Sequence, residues 1–136
     1  VIVVLAHGCW DPFHYGHLLH LQTARTHGNV LIVSVTRDEN VNKGPGRPIF
    51  NLHQRMAVLR ALAIVDEVRA ARSAVEAIKK IKPDIYVKGK EYENNLPEQC
   101  LVEHYGGRVV FTDDDVYSST RLISGGYLAV PSTCSR

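Results

Sequence analysis

Short runs of Val, Ile and Leu recur along the chain, and most are followed by stretches whose apolar residues fall three and four apart. Residues 1–6, VIVVLA, are apolar at every position, the pattern of a strand covered on both faces. Residues 16–27 then place Leu18, Leu19, Leu21 and Ala24 at helical spacing. Val30–Thr36, VLIVSVT, predicts a second strand, and the loop after it is too rich in Gly, Pro and Asn for regular structure. Residues 51–63 predict a helix capped by Asn51, with Met56, Leu59, Leu62 and Ala63 on one face. Further on, the pattern predicts strands at 65–70, 84–87 and 108–111. Helices are expected at 73–81, 97–105 and 118–124.

Strands alternating with helices imply an α/β fold: a Rossmann-like parallel sheet of about five strands with helices on both faces. In such sheets ligands bind beyond the carboxyl ends of the strands. Three polar clusters fall at such ends: HGCWDPFHYGH at 7–17, VKGKEY at 87–92 and DDDVYSST at 113–120. Their convergence on one edge is the reason to expect a site there.

Composition narrows the possibilities. The length of 136 residues fits one domain with a single core, at 45% hydrophobic and 22% charged residues. A formal net charge of +2, with no long basic run, gives no electrostatic footprint for nucleic acid. No apolar run is long enough to span a membrane. The three cysteines, Cys9, Cys100 and Cys134, are scattered and include no CxxC pair, so a reducing, cytoplasmic setting is expected. Residues 1–127 read as the folded domain, and 128–136 as a tail or a linker to another domain of a longer chain.

The first cluster carries the chemistry. His14 and His17 flank Gly16 at the start of a helix, where N–H groups and the helix dipole favour an anion. A neutral imidazole donates a hydrogen bond and an imidazolium adds charge, so the pair suits a phosphoryl group. Gly8 and Gly16 permit close approach of a ligand to backbone. Asp11, before Pro12, can hold the turn by accepting from backbone N–H groups. Two other readings stay open: the histidines cap the helix, or His7, His14, His17 and His20 bind zinc. The spacing matches neither HExxH nor a zinc finger.

With these residues in view, GCWDPFHYGH resembles the GxFDxxHxGH motif of the cytidylyltransferase-like nucleotidyltransferases, with Trp10 where Phe is commoner. NKGPGRPIF followed by HQRMAVLRALAIVDEV, and PDIYVKGKEY, resemble the heptose-phosphate branch; YSST resembles the family's (I/Y)S(S/T)T motif. The resemblance covers nearly the whole chain. It implies transfer of CMP or AMP from CTP or ATP to the phosphate or phosphonate of a small sugar, polyol or alcohol, with release of pyrophosphate. Mg²⁺ would travel with the triphosphate. Of the two donors the expectation favours CTP.

Carried onto this sequence, the resemblance makes His14, His17, Lys43, Ser119 and Thr120 catalytic. The nucleotide would meet Gly8, Cys9, Trp10, Asp11, Gly16, Lys88, Gly89, Glu91, Tyr117 and Ser118. Asn42 and Arg55 would meet the acceptor, although Arg55 on a solvated helix face is an equal reading. No metal-ligand set is expected. Glycerol-3-phosphate cytidylyltransferases carry an Arg four residues before the isoleucine of their ISTT; Asp113 stands there in this chain. By analogy a homodimer is expected, with fusion to a second catalytic domain possible. A non-catalytic nucleotide-binding module on the same fold is the alternative.

Overall fold

The structure, a computed structural model, describes residues 1–113. The expected helix at 118–124, the residues Tyr117, Ser118, Ser119 and Thr120, and the tail at 128–136 lie outside the described residues.

Five strands, β1 (Val3–Gly8), β2 (Val30–Thr36), β3 (Glu67–Ala71), β4 (Ile85–Gly89) and β5 (Arg108–Thr112), form one parallel sheet in the order β3-β2-β1-β4-β5. Four α-helices follow the first four strands: α1 (Tyr15–Arg25), α2 (Leu52–Arg60), α3 (Ala74–Ile81) and α4 (Gln99–His104). This is the expected Rossmann-like α/β fold. The chain turns from one side of β1 to the other between β3 and β4, so β1 sits at the switch point of the sheet.

Side-chain alternation divides the core between the two faces. Val4 and Ala6 of β1, with Leu31, Val33 and Val35 of β2, pack with Leu21 and Ala24 of α1 and Leu59 of α2. Leu5, Ile32 and Tyr86 turn the other way and pack with Ala77 and Ile78 of α3 and Val102 of α4. Leu5, Leu31, Leu59, Ile78 and Tyr86 are all wholly buried. That is why β1 opens as an unbroken apolar run and β2 is apolar but for Ser34 and Thr36: both of their faces are covered.

The boundaries shift from expectation where polar groups decide them. β1 extends through His7 and Gly8, because His7 pairs with Ser34 and Gly8 with Val35 on the β2 ladder. α2 stops at Arg60, three residues early, and Ala63 is exposed. Ser73 caps α3 as expected, its Oγ accepting from the Glu76 N–H at 3.1 Å. Among the described residues no helix is long and apolar enough to cross a membrane.

Candidate active site

The first turn is built on β1. His7 Nδ1 lies 2.7 Å from Ser34 Oγ, and its Nε2 lies 3.3 Å from Thr36 Oγ1. Burial, helped by the Lys88 charge, lowers its pKa to about 4, so the ring is neutral at physiological pH. His20 is engaged elsewhere, its Nδ1 2.9 Å from Thr112 Oγ1. The four nitrogen ligands of the zinc reading therefore do not converge; among the described residues no three His, Cys, Asp or Glu form a metal-binding group.

Trp10 follows in the left-handed region, at φ 56°. Its indole is nearly buried and donates from Nε1 to the Ser34 carbonyl at 3.0 Å. The ring covers Gly8, where an added Cβ would sit only 3.0 Å from it, and meets His17 edge-on with centroids 5.0 Å apart. Two expectations change. The space left by Gly8 is filled by Trp10 instead of a ligand, and Trp10 is a core residue that supports His17.

His14 is the N-cap of α1. Its Nδ1 accepts from the Gly16 N–H at 3.0 Å, and His17 Nδ1 accepts from the His14 N–H at 3.3 Å. The two rings stack with centroids 3.8 Å apart. A backbone N–H can only donate, so both Nδ1 atoms are acceptors and the proton of each neutral ring sits on Nε2. Burial, then the neighbouring His14, His20 and Lys43, lowers the pKa of His17 to about 3. Charge on His17 is not available near neutral pH; what it offers is a neutral Nε2–H donor. Capping occupies Nδ1 of each ring, so it is compatible with a donor role for Nε2.

Two lysines stand at the same end of the sheet, on β4 and after β2. Lys88 projects from β4 and is mostly buried. Its Nζ lies 4.9 Å from the Tyr92 ring centroid and 5.9 Å from that of Tyr86, with the His7 carbonyl at 3.5 Å. Burial pulls its pKa below the ordinary lysine value against the raising effect of Glu98 and Glu91. Lys43, on the exposed loop after β2, is near enough for its charge to act on both His17 and Lys88. The carboxylate of Glu91 lies over the bare backbone of Gly89, so Gly89 makes room for Glu91 in this state and not for a base.

Asp11 and Arg55 have other work. The Asp11 carboxylate, fully buried, accepts from the N–H groups of Ile49 (2.6 Å) and Phe50 (2.9 Å) and from Arg47 Nε (3.2 Å). It does hold a turn, but one formed by residues distant in sequence. Arg55 is buried, not on a solvated face. Its guanidinium donates to the carbonyls of Phe50, Cys9 and Thr36 at 2.7–2.9 Å and to Asp38 at 2.6 Å. With those acceptors in place it is not presented to an acceptor substrate. Cys9 is half-buried, and burial raises its thiol pKa despite Arg55 and Lys43 nearby, which is not the setting of a nucleophile. Asn42 is exposed on the Lys43 loop. Asp113 is exposed and 3.7 Å from Lys90, away from the histidine pair's bonds. The residue that sequence reasoning missed is Arg47; its partner Asp11 lies 36 positions away, and no local pattern announces the pair.

Comparison with known proteins decides the family. The family model for cytidylyltransferase-like proteins matches residues 5–124. The chain belongs to this family. As a cytidylyltransferase-like domain it is 41% identical over 128 residues to the bifunctional protein HldE of Alcanivorax borkumensis, covering 89% of this chain and 27% of that protein. The HldE of Streptomyces coelicolor is likewise 41% identical, covering 90% of this chain and 28% of that protein. The domain thus spans about a quarter of the length of the curated relatives it matches. Among solved structures, the lipopolysaccharide core biosynthesis protein of Thermoplasma volcanium superposes with a TM-score of 0.69 at 28% identity, covering 86% of this chain and 98% of that one. Pantoate-β-alanine ligase of Francisella tularensis shares the fold, with a TM-score of 0.65 at 14% identity over 90% of this chain and 65% of that one.

Proposed function

We propose that this nucleotidyltransferase domain moves the nucleoside monophosphate of a triphosphate onto the phosphate of a small sugar phosphate. One observation carries the reading: two stacked imidazoles, tied by Nδ1 to backbone N–H groups at the start of α1, each keep an Nε2–H donor at the carboxyl edge of the sheet.

An acceptor phosphate oxygen attacks the α-phosphorus, the bond to the bridging oxygen breaks, and pyrophosphate leaves. Negative charge grows on the equatorial and leaving oxygens, where preorganised donors act without reorganising. His14 and His17 supply such donors. Lys43 and Lys88 supply charge, and magnesium enters with the triphosphate as part of the substrate. Glu91 would accept from the exocyclic amine of the base, a group that adenine and cytosine share. Gly16 borders the same phosphates, and Ser118, Ser119, Thr120 and Tyr117 complete the set by resemblance of their motif.

The HldE relatives favour ATP over CTP as donor, reversing the order drawn from sequence. They also favour a sugar phosphate over a polyol phosphate or phosphonate, and a place beside a second catalytic domain in one polypeptide. The test is pyrophosphate release with ATP and with CTP, each against a panel of sugar phosphates, polyol phosphates and phosphonates in the presence of Mg²⁺. Release with ATP and a sugar 1-phosphate is expected. Release with CTP alone would overturn the donor, and the absence of both turnover and nucleotide binding would overturn the function.

A further inference from the structure

The loop that carries Lys43 is tied to the first turn at both of its ends. Residues 42–46 are exposed, and Gly44 and Gly46 take φ values of 94° and 77°. Where a Cβ would sit at either glycine, no described atom lies within 4 Å. The segment therefore has little packing of its own, and its anchors determine where Lys43 stands.

The near anchor is Arg55, which binds Asp38 at 2.6 Å while donating to the Cys9 carbonyl at 2.9 Å. The far anchor is Arg47. Its side chain is 6% exposed, and it grips Asp11 twice, from Nε to the carboxylate at 3.2 Å and from a terminal nitrogen to the Asp11 carbonyl at 2.5 Å. Asp11 in turn receives the N–H groups of Ile49 and Phe50. Three residues beyond Asp11 the chain reaches His14; four residues before Arg47 lies Lys43. Asp11 is thus the shared post for the turn that leads to the imidazoles and for the loop that bears the lysine.

We propose that Arg47 is a positioning residue: by its two-pronged hold on Asp11 it fixes the Lys43 loop over the histidine pair. This rests on the functional reading above. Arg47 touches no reacting atom; it acts through Lys43. Arg55 also binds carbonyls of three segments and is part of the fold; Arg47 is the anchor that joins the loop end to Asp11. A lysine there could keep the buried carboxylate's counter-charge but not reproduce the fork, since an ammonium is a point donor.

The experiment is a double-mutant cycle in the full chain with Arg47→Lys, Arg47→Ala and Lys43→Ala, reading kcat, KM and Tm. Arg47→Lys is expected to keep Tm and lose about tenfold in kcat with KM little changed, as misplacement of a catalytic group does. Added to Lys43→Ala, either Arg47 change should cost less than about twofold more, because the lysine it positions is already gone. Trypsin gives a readout independent of turnover. It cuts the Lys43–Gly44 bond but not the bond before Pro48, and cleavage at Lys43 should run several-fold faster in both Arg47 variants. Multiplicative losses in the cycle, or unchanged cleavage at Lys43, would overturn the role of Arg47 while leaving the enzyme's function standing. A wild-type chain that neither binds nucleotide nor turns over would instead overturn the function.

Discussion

Helices α1 and α2 begin with the same hydrogen-bonding device made from different residues. In α2, Asn51 accepts from the Gln54 N–H at 2.9 Å, and Gln54 reaches back to the Asn51 N–H at 3.0 Å. In α1 the same reciprocal box is made by His14 and His17, with a longer return bond of 3.3 Å. Amides fit this role well, and Asn is among the best N-caps. An imidazole offers the same acceptor but carries a second nitrogen on the far side of the ring. α2 uses its box only to start a helix. α1 uses its box to fix two rings in one tautomer, with the Nε2 nitrogens on the far side of the rings from the cap.

That contrast can be broken by substitution. The largest effect is expected for His17→Gln, which keeps an acceptor for the His14 N–H, as Gln54 does in α2, and removes the ring donor. Turnover should fall about 10²- to 10³-fold, the scale for losing one transition-state donor, with Tm nearly unchanged. Steady-state kinetics beside a melting curve would check this, and a stable variant with near-normal kcat would return His17 to a plain cap. Lys43→Ala follows, with a loss of about tenfold or more in kcat and little change in Tm, since its side chain is exposed. Asn51→Ala should do the reverse. It is expected to cost about 1 kcal/mol of stability, seen as a drop of a few degrees in Tm, while kcat holds.

The smallest effect is a slope with pH. His7 and His17 have folded pKa values of about 4 and about 3, below the ordinary 6.5. Between those values the unfolded chain binds more protons than the folded one. Their contribution to stability is therefore present above pH 6.5 and is lost as pH falls toward 4 and 3. Tm should decline as the pH is lowered from 7 to 5, and His7→Gln should make the decline shallower. A slope unaltered by that change would mean that His7 titrates alike in both states.

Much of this was legible because the controlling interactions are local or periodic. Runs dominated by Val, Ile and Leu mark β1 and β2, and the Asn51 and Ser73 caps lie where a polar residue precedes an apolar helical period. The turn and helix start that bring His14 and His17 together were legible because that motif is contiguous. Arg55 was not legible. It stands among core positions of α2, yet its burial depends on carbonyls from Cys9, Thr36 and Phe50, which only the folded chain brings together. Gly8 and Gly89 were expected to admit ligand and instead admit neighbouring side chains two residues on, a distinction that depends on where Trp10 and Glu91 turn.

The bonds of Asp11 also set an order of assembly. The turn that carries the histidine pair lies early in this domain, but it is closed by backbone N–H groups 38 and 39 positions beyond Asp11. β1, beneath them, gains its second neighbour only with β4, through pairs such as Val4 with Ile85. Contacts so distant in sequence form late, after the cost of closing long loops has been met. The histidine motif is therefore contiguous in sequence, yet its turn takes shape only once contacts nearly forty positions away have formed.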